Sequence, residues 1–388
     1  MKTNQIFGNG AITNIYELID KYDAEKIFLV TGKKSYDDSK KLCEFKSVLK
    51  KYNILRYSEF SLNPKIEDAW EGIKKIRKFC PDIIISIGGG SVIDMAKIIN
   101  ILSHQKLDID LDLISNNKIR NKGLPHIAIP TTSGTGSEST HFAVLYIGKK
   151  KYSLAHEYIL PVASLIDPEL TFDSPSYLIA SAGMDALSQA IESYWSNNSS
   201  KKSDYYAENA INLILDNLTS AVNLKNKNSM TSMAKAASLS GKAINISKTT
   251  AAHAISYGIT SEFGISHGHA VALTLGEFFV INSDRKSKFI NKNISFSKHQ
   301  EKMLKLFSLF DAKSSNECRY KWYELMKSIN LEYSFSKLNM TNKRKIASII
   351  NNVNTERLEN NPISVSKEIV KQIFSDDRNN LEFHRISS

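Results

Sequence analysis

Two segments in the second half of the chain carry side chains of the types that bind divalent metal ions. Asp185 and Gln189 lie four residues apart, a spacing that places both on one face of a helix. His253 and His267 follow, between small and apolar residues. Either histidine taken alone is more typical of a packed core residue, but a carboxylate with two imidazoles is a ligand set for iron or zinc. The sequence therefore predicts a divalent transition-metal site.

A run of glycines in the first half is typical of a phosphate-binding turn. Gly88, Gly89, Gly90 and Ser91 follow an apolar, strand-like run at residues 82–86 and precede a helical pattern. The glycines let the backbone approach a ligand closely, and the free N–H groups at a helix start can donate to an anion. A tight turn that binds nothing is the alternative for this run alone, and the pattern is not Gly-x-Gly-x-x-Gly. We expect a nucleotide cofactor.

A second loop, residues 130–138, supplies hydroxyl groups after another strand-like run. It contains Thr131, Thr132, Thr135 and Ser137 together with two glycines. Hydroxyl donors beside bare backbone suit a diphosphate or a ribose, although Thr135 or Ser137 taken singly is also typical of a helix N-cap. Two such loops in one region favour a dinucleotide.

The elements that must position these residues divide the chain into two predicted domains. Strand-like runs alternate with amphipathic stretches, as in an α/β domain, at residues 26–32, 83–87 and 126–130. Ligands of such sheets bind beyond the carboxyl ends of the strands, so the three turns should converge. Later segments, such as 205–223 and 230–247, carry apolar residues at helical spacing. We predict an α/β nucleotide-binding domain at residues 1–168 and an all-helical metal-binding and substrate domain at 169–388.

Composition argues against several classes of protein. The chain has 388 residues, 42% of them hydrophobic, which is enough for two globular domains. We find no run of about 18 apolar residues that would span a membrane, and the first residues lack the apolar core of a signal peptide. Three separated cysteines suggest neither a disulfide framework nor a cysteine zinc site, so we expect a cytoplasmic protein. The net charge of +11 forms no basic stripe, which argues against nucleic acid and is compatible with an anionic substrate.

The order of these motifs resembles that of the iron-containing, or group III, alcohol dehydrogenase family. The resemblance rests on residues 88–91 followed by Asp94 and Lys97, on residues 130–138, on residues 183–187, and on His253 with His267. It implies the dehydroquinate synthase-like fold, an α/β dinucleotide-binding domain followed by an all-α domain, and an oxidoreductase that uses NAD(P)H and iron or zinc. The implied cofactor-binding residues are Gly32, Gly88, Gly89, Gly90, Ser91, Asp94, Thr131, Thr132, Thr135, Ser137 and Lys151.

One metal-ligand position departs from the family pattern. The resemblance makes Asp185, His253 and His267 three of four ligands, whereas the fourth family ligand is a histidine at the position of Gln189. An amide oxygen is a weaker donor than imidazole toward iron or zinc. Either Gln189 ligates weakly, or the protein supplies three ligands and water and substrate complete the site. Loss of the metal is a third alternative.

The end of the first predicted strand departs as well. Family members strict for NAD tend to have an aspartate there, where this chain has Gly32 followed by Lys33. Without that carboxylate a 2′-phosphate is not repelled, so we expect NADPH to be accepted or preferred. The alternative is that Gly32 only makes the turn.

The flanks of the metal-ligand motifs resemble the phosphonoacetaldehyde reductase branch, whose product is 2-hydroxyethylphosphonate. The similar segments are residues 63–68, 152–156, 185–196, 241–250 and 253–257. Asn245, Lys248 and Thr249 are the candidate residues for binding the phosphonate. Helical spacing places Asn245 and Thr249 on the face of His253, whereas Lys248 points away unless the helix bends or starts there. A solvated surface lysine is the alternative for Lys248.

The predicted reaction is the reduction of a small anionic aldehyde, as a step of phosphonate biosynthesis. The metal would polarise the carbonyl oxygen, the nicotinamide would deliver hydride across the domain cleft, and His269 is the candidate for proton transfer. The alternatives are another short aldehyde or sugar alcohol as substrate, a metal-dependent lyase or cyclase on the related fold, and a nucleotide-binding protein without catalysis. This interpretation is compatible with a homodimer and includes no nucleic-acid or membrane partner.

Overall fold

The structure is a computed structural model that describes residues 3–105, 111–148, 150–284, 286, 288–353 and 355–375. It divides into two compact units, Met1–Ser174 and Pro175–Ser388, so the division falls a few residues after the boundary predicted at 168. Among the described residues, no helix is both long enough and apolar enough to cross a bilayer.

The first unit is an α/β domain built on a parallel sheet. Its strands are Asn4–Phe7 (β1), Lys26–Thr31 (β2), Asn53–Tyr57 (β3), Ile83–Gly88 (β4), His126–Pro130 (β5), Phe142–Ile147 (β6), Lys150–Ala155 (β7) and Ala163–Ile166 (β8). Its helices are Ile15–Asp20 (α1), Lys34–Asp37 (α2), Cys43–Leu49 (α3), Ile66–Phe79 (α4), Gly90–Ser103 (α5) and Leu111–Ser115 (α6). Six strands form the sheet in the order β1-β8-β5-β4-β2-β3, and β6 pairs with β7 in a separate antiparallel hairpin.

The central strands of this sheet consist mainly of apolar residues, which is why both faces of the sheet are buried. Strand β4 is buried at every position, and its isoleucines alternate between two apolar clusters. One cluster includes Ile84 with Ala69 of α4 and Ile99 of α5, and the other includes Ile85 with Phe45 of α3. Helices therefore cover both faces, which is the arrangement expected where parallel strands are continuous apolar runs. The three strands predicted from the sequence are β2, β4 and β5, and the hairpin β6–β7 was not predicted.

The second unit is helical, as predicted. Its helices are Ser176–Trp195 (α7), Lys201–Asn223 (α8), Lys227–Ser247 (α9), Ala251–Phe263 (α10), His267–Ser283 (α11), Phe296–Leu309 (α12), Ser315–Ser328 (α13), Lys343–Asn351 (α14), Thr355–Glu359 (α15) and Lys367–Ser375 (α16). Helices α8, α9, α12 and α13 begin after a capping Ser200, Asn226, Ser295 or Ser314, whose side chain accepts from a backbone N–H of the first turn.

Helices α7 and α11 form the centre of this unit. Both are buried along most of their length, and they pack against each other while α7 also contacts α8 and α9. A helix that is apolar on most of its circumference must be covered on all sides. The polar residues on such helices are therefore buried by the fold, and the predicted ligand Asp185 is one of them.

Candidate cofactor and metal sites

The two predicted cofactor loops lie side by side in the first unit. Strands β4 and β5 are neighbours in register, with Gly88 opposite Pro130, so both loops leave the sheet at the same edge. The N–H of Thr131 donates to the carbonyl oxygen of Gly88 at 3.0 Å. A Cβ atom on Gly90 would lie 2.6 Å from Cγ2 of Thr135, so glycine is required for this close packing. Helix α5 begins at Gly90, and the start of a helix is a favourable place for an anion because its N–H groups and dipole point there.

Asp94 and Ser137 are bonded to the protein itself at the base of these loops. The Ser137 hydroxyl donates to Oδ1 of Asp94 at 2.6 Å, and the N–H of Val144 donates to Oδ2 at 2.9 Å. Burial raises the pKa of Asp94, and the nearby charges of Lys97 and Lys151 oppose this rise. Their positions indicate that Asp94 and Ser137 shape the hydroxyl loop, with Lys151 of β7 close to the same carboxylate.

Lys97 holds the other side of the same loop. Its buried ammonium group donates to the carbonyl oxygens of Ser137, Thr140 and Phe142 at 2.6–2.9 Å. Burial lowers its pKa to about 8, so the group is still mainly protonated at neutral pH. A buried ammonium group has to be satisfied by such acceptors, and in return it fixes the loop conformation.

The predicted cofactor-selecting position at the end of β2 is surrounded by paired charges. Lys33 forms an ion pair with Glu59 at 2.7 Å, and Arg56 forms one with Asp37 at 2.6 Å. Arg56 also donates to the carbonyl oxygen of Gly32 at 3.0 Å. Two cationic side chains, Lys33 and Arg56, therefore lie at this turn, and each is paired with a carboxylate. Residue 32 is a glycine and adds no side chain of its own.

The predicted metal ligands come together in the second unit. Oδ1 of Asp185 lies 3.4 Å from Nε2 of His253 and 3.9 Å from Nε2 of His267. One ligand atom of each residue lies within 4.8 Å of those of the other two. Asp185 and His253 are each 3% exposed, whereas the side chain of His267 is 34% exposed. Three helices contribute one ligand each: α7, α10 and the first residue of α11.

The polar atoms of this cluster fit a bound divalent ion. Oδ1 of Asp185 and Nε2 of His253 are buried, and neither has a hydrogen-bond partner among the described residues. Unsatisfied buried polar atoms are rare in proteins and call for a ligand. One carboxylate and two imidazoles that face one point are donors for iron or zinc, and the partial exposure of His267 leaves a side open for substrate.

Glu192 contacts the candidate ligand His253, and the sequence did not predict this contact. It is fully buried one helical turn after Gln189, and its carboxylate bonds Nδ1 of His253. It also accepts from the Thr250 hydroxyl and the N–H of Ala252, both at 2.8 Å. Burial alone would raise the pKa of Glu192, but His253 and Thr250 hold this pKa below its ordinary value. A carboxylate beside Nδ1 favours the tautomer of His253 that presents Nε2 to a metal.

The orientation of Gln189 bears on the two interpretations of the fourth ligand position. Its Oε1 accepts a hydrogen bond from the Ser240 hydroxyl at 3.2 Å. Its side chain also bonds Asp185, and this contact helps His253 and His267 to lower the pKa of that carboxyl group against the effect of burial. In this orientation Gln189 positions Asp185, which favours a site with three protein ligands.

Asn245 and Thr249 do not share a helix face with His253, so that expectation was wrong, and the helix is interrupted at Lys248. Helix α9 ends at Ser247 and α10 begins at Ala251, so Asn245 belongs to one helix, Lys248 and Thr249 to a loop, and His253 to the next helix. Lys248 adopts φ 61° and ψ 174°, a conformation found almost only in glycine. Just after this break, the Thr250 hydroxyl and the N–H of Ala252 donate to Glu192.

The predicted proton donor, His269, is bonded within the protein at both ring nitrogens. Nδ1 lies 3.2 Å from the Tyr177 hydroxyl, and Nε2 lies 2.6 Å from the carbonyl oxygen of Glu332. Burial lowers its pKa, so the ring is neutral at physiological pH. This geometry makes His269 a link between segments of the second unit and does not support a role in proton transfer.

Comparison with known families covers most of the chain in two parts. Residues 2–168 match the family model described as iron-containing alcohol dehydrogenase. Residues 179–377 match the model of the C-terminal region of the iron-containing alcohol dehydrogenase family. These limits agree with the two structural units.

Individual relatives agree with the family models. Long-chain-alcohol dehydrogenase 1 of Geobacillus thermodenitrificans is 37% identical over 227 residues, which cover 58% of each chain. Alcohol dehydrogenase 4 of Saccharomyces cerevisiae is 32% identical over 277 residues, 69% of this chain and 71% of that protein. The chain thus spans about three fifths of the first relative and more of the second.

The fold is also similar to that of solved structures. The crystal structure of sulfoacetaldehyde reductase from Bifidobacterium kashiwanohense, in complex with NAD+, superposes with a TM-score of 0.84 at 28% identity, covering 96% of both chains. An iron-containing alcohol dehydrogenase from Thermotoga maritima gives a TM-score of 0.82 at 26% identity, covering 96% of this chain and 97% of that one. The chain belongs to the iron-containing alcohol dehydrogenase family.

Proposed function

We propose that the protein is a metal-dependent NAD(P)H oxidoreductase that reduces phosphonoacetaldehyde to 2-hydroxyethylphosphonate. The observation that carries the redox assignment is the cluster of Asp185, His253 and His267, in which Oδ1 of Asp185 and Nε2 of His253 are buried without a hydrogen-bond partner among the described residues. The substrate is supported by the resemblance to the phosphonoacetaldehyde reductase branch. It is also supported by the similarity to a sulfoacetaldehyde reductase, whose named substrate is likewise a two-carbon aldehyde with a tetrahedral anionic group.

The residues of the second unit would hold the metal and the substrate. Asp185, His253 and His267 would bind the ion, which supplies Lewis-acid polarisation of the aldehyde oxygen when bound. Glu192 would keep His253 in the required tautomer. Asn245, Lys248 and Thr249 lie in or beside the break before His253 and would donate to the phosphonate. Since both ring nitrogens of His269 are bonded internally, water would supply the proton to the product oxygen.

The residues of the first unit would hold the cofactor. Gly88, Gly89, Gly90 and Ser91 at the start of α5 would bind the diphosphate, with Thr131, Thr132 and Thr135 beside them. The absence of a carboxylate at Gly32 and the nearby Lys33 and Arg56 suit the 2′-phosphate of NADPH, if the cations exchange their present partners for it. The nicotinamide supplies the hydride.

Two further properties belong to the same proposal. We expect the protein to act in the cytoplasm, since free cysteines and a nicotinamide cofactor suit a reducing compartment. Symmetric association is common among soluble enzymes, so we also propose a homodimer.

The test of this proposal combines metal analysis with turnover. Elemental analysis of the purified protein should find one divalent transition metal, and NADPH or NADH oxidation should depend on phosphonoacetaldehyde. A chelator should abolish turnover, and one metal should restore it. Asp185→Ala should remove metal and turnover but leave NADPH binding intact.

Two other outcomes would replace the proposal. The relatives act on other alcohols by name, so reduction of longer aldehydes or sugars without reduction of phosphonoacetaldehyde would identify a different substrate within the family. Nucleotide binding without turnover of any short aldehyde would identify a protein that has lost catalysis. Full activity of Asp185→Ala would contradict the metal site.

A further inference from the structure

Arg357 is a buried cation in the unit that carries the predicted metal ligands. It lies on α15 and is only 8% exposed, although arginine is among the residues that are rarely buried. Helix α15 packs against α10, which carries His253. A guanidinium group stays protonated at any physiological pH, so this side chain brings a permanent positive charge into the interior.

The segment that carries Arg357 is tied to the loop before the metal ligand. Asn360, three residues further on, donates to the carbonyl oxygens of Ser247 and Thr249, both at 2.9 Å. It also accepts from the Ser196 hydroxyl at 3.0 Å. These bonds place the end of α15 against the break between α9 and α10. Arg357 is therefore held beside the loop that contains two of the predicted substrate-binding residues.

Tyr257 connects this loop, Arg357 and the metal ligands. Its ring stacks on that of His267, with 5.7 Å between the ring centroids and 19° between the planes. Its hydroxyl group bonds Thr249. Burial raises the pKa of this hydroxyl, and the charge of Arg357 is close enough to oppose the rise. Tyr257 thus links Thr249 to the open ligand His267, and the charge of Arg357 acts on the same tyrosine.

The charges of this region are suited to an anionic substrate. A divalent ion would offset the charge of the carboxyl groups of Asp185 and Glu192, both of which lie beside His253. Arg357 adds a permanent positive charge in the same unit. A planar guanidinium group matches two oxygens of a tetrahedral oxyanion, which a single ammonium group such as that of Lys248 cannot do.

We propose that Arg357 binds the anionic group of the aldehyde and thereby determines specificity for phosphonate or sulfonate substrates. This inference rests on the proposed aldehyde reductase function. The proposal adds a residue of α15 to the anion site, whereas the sequence motifs predicted anion-binding residues only in the segment before His253. Asn360 would act as a positioning residue that holds α15 against the loop.

The test compares an anionic aldehyde with an uncharged one of the same shape. Phosphonoacetaldehyde, sulfoacetaldehyde and 3,3-dimethylbutanal place a tetrahedral group two bonds from the carbonyl carbon, and only the last has no charge. Arg357→Gln should lower the ratio of kcat/KM for either anion to kcat/KM for 3,3-dimethylbutanal by about 10- to 100-fold, mainly through KM. Arg357→Lys should recover part of this ratio, and the matched control Arg344→Gln, on the exposed surface of α14, should keep it.

A binding measurement separates this inference from the proposed function. Calorimetry with ethylphosphonate and ethanesulfonate should show binding to the metal-loaded protein that weakens by a similar factor in Arg357→Gln, even if no aldehyde is reduced. An equal loss for charged and uncharged aldehydes would make Arg357 a structural residue and overturn the inference, as would unchanged binding of both anions or no binding of either. If the protein reduces no short aldehyde but binds ethylphosphonate through Arg357, the proposed function fails and the anion site stands.

Discussion

At the scale of single residues, Glu192 and Gln189 contact two of the candidate metal ligands. Glu192 bonds Nδ1 of His253, and Gln189 bonds Asp185 while its oxygen accepts from Ser240. Both lie on α7 with Asp185, at spacings of four and seven residues that share one helix face. Outer contacts of this kind typically change metal affinity by about 10- to 100-fold, so α7 carries a ligand together with its supports.

Gln189→His should strengthen metal binding. If the protein supplies three ligands, an imidazole in place of the amide adds a fourth, and we expect affinity for zinc to rise by about 10-fold or more. Competition with a chromophoric chelator measures this directly. Gln189→Leu is the matched control, because it removes the bond to Asp185 and adds no donor, and it should weaken binding. Unchanged or lower affinity in the histidine variant would mean that the amide already ligates the metal.

At the scale of elements, the break between α9 and α10 is the feature that shapes the second unit's site. Thr250 and the first N–H groups of α10 bond Glu192, so the new helix starts on a buried carboxylate. The loop before it holds Lys248 at φ 61° and ψ 174°. Such a conformation costs about 1–3 kcal/mol in a residue other than glycine. The site is therefore built on backbone strain that the bonds of Asn360 and Glu192 maintain.

Lys248→Gly should make the protein more resistant to heat than Lys248→Ala. Both substitutions remove the ammonium group, but only glycine relieves the backbone strain. The extra chain entropy that glycine loses on folding costs less than this strain. We expect the transition of the helical unit to lie about 2–4 °C higher in the glycine variant, by calorimetry of the metal-free protein. Equal transition temperatures would show that Lys248 is not strained. Both variants should lose affinity for the phosphonate substrate if the ammonium group contacts it.

At the scale of the whole molecule, the two units bury polar groups in different ways. The helical unit brings together three candidate metal ligands, two of which are buried. The α/β unit buries His126 at the start of β5, where Nε2 lies 2.8 Å from the Ser86 hydroxyl of β4. Burial, assisted by the charge of Lys97, lowers the pKa of His126 to about 3. The sheet that positions the cofactor loops thus depends on a neutral histidine.

Acidification should destabilise the α/β unit through His126. Its folded pKa lies below its unfolded value of about 6.5, so the unfolded chain binds more protons as the pH falls from about 6.5 toward 3. Its contribution is present above the unfolded pKa, and about 2 kcal/mol of it should be lost by pH 5. Urea unfolding at pH 7 and pH 5 should show this loss in the wild type and much less of it in His126→Gln. His104→Gln, at a partly exposed position, is the control and should behave as the wild type. An equal loss in His126→Gln would contradict the assignment.

Local patterns predicted the elements that depend on local chemistry. The isoleucine run before Gly88 and the hydroxyl loop after Pro130 identified β4, β5 and the neighbouring loops, because burial on both faces and close approach to a ligand leave strong signals in residue type. The helical spacing of Asp185 and Gln189 likewise identified one face of α7. The hairpin β6–β7 was missed, since its residues are only partly buried and alternate weakly.

What the sequence by itself determined is the inventory: the two kinds of domain, the cofactor loops and the types of ligand available. Only the tertiary structure decided how that inventory is used, because hydrogen bonds between distant residues are not encoded in any local spacing. In the folded protein α9 ends before Lys248, and both ring nitrogens of His269 have partners within the protein. Gln189 bonds Asp185, and Arg357 is buried in the segment that contacts the loop before His253. Apart from the contact of Gln189 with Asp185 on the same helix, these outcomes join segments that lie far apart in the chain, so no local spacing predicted them.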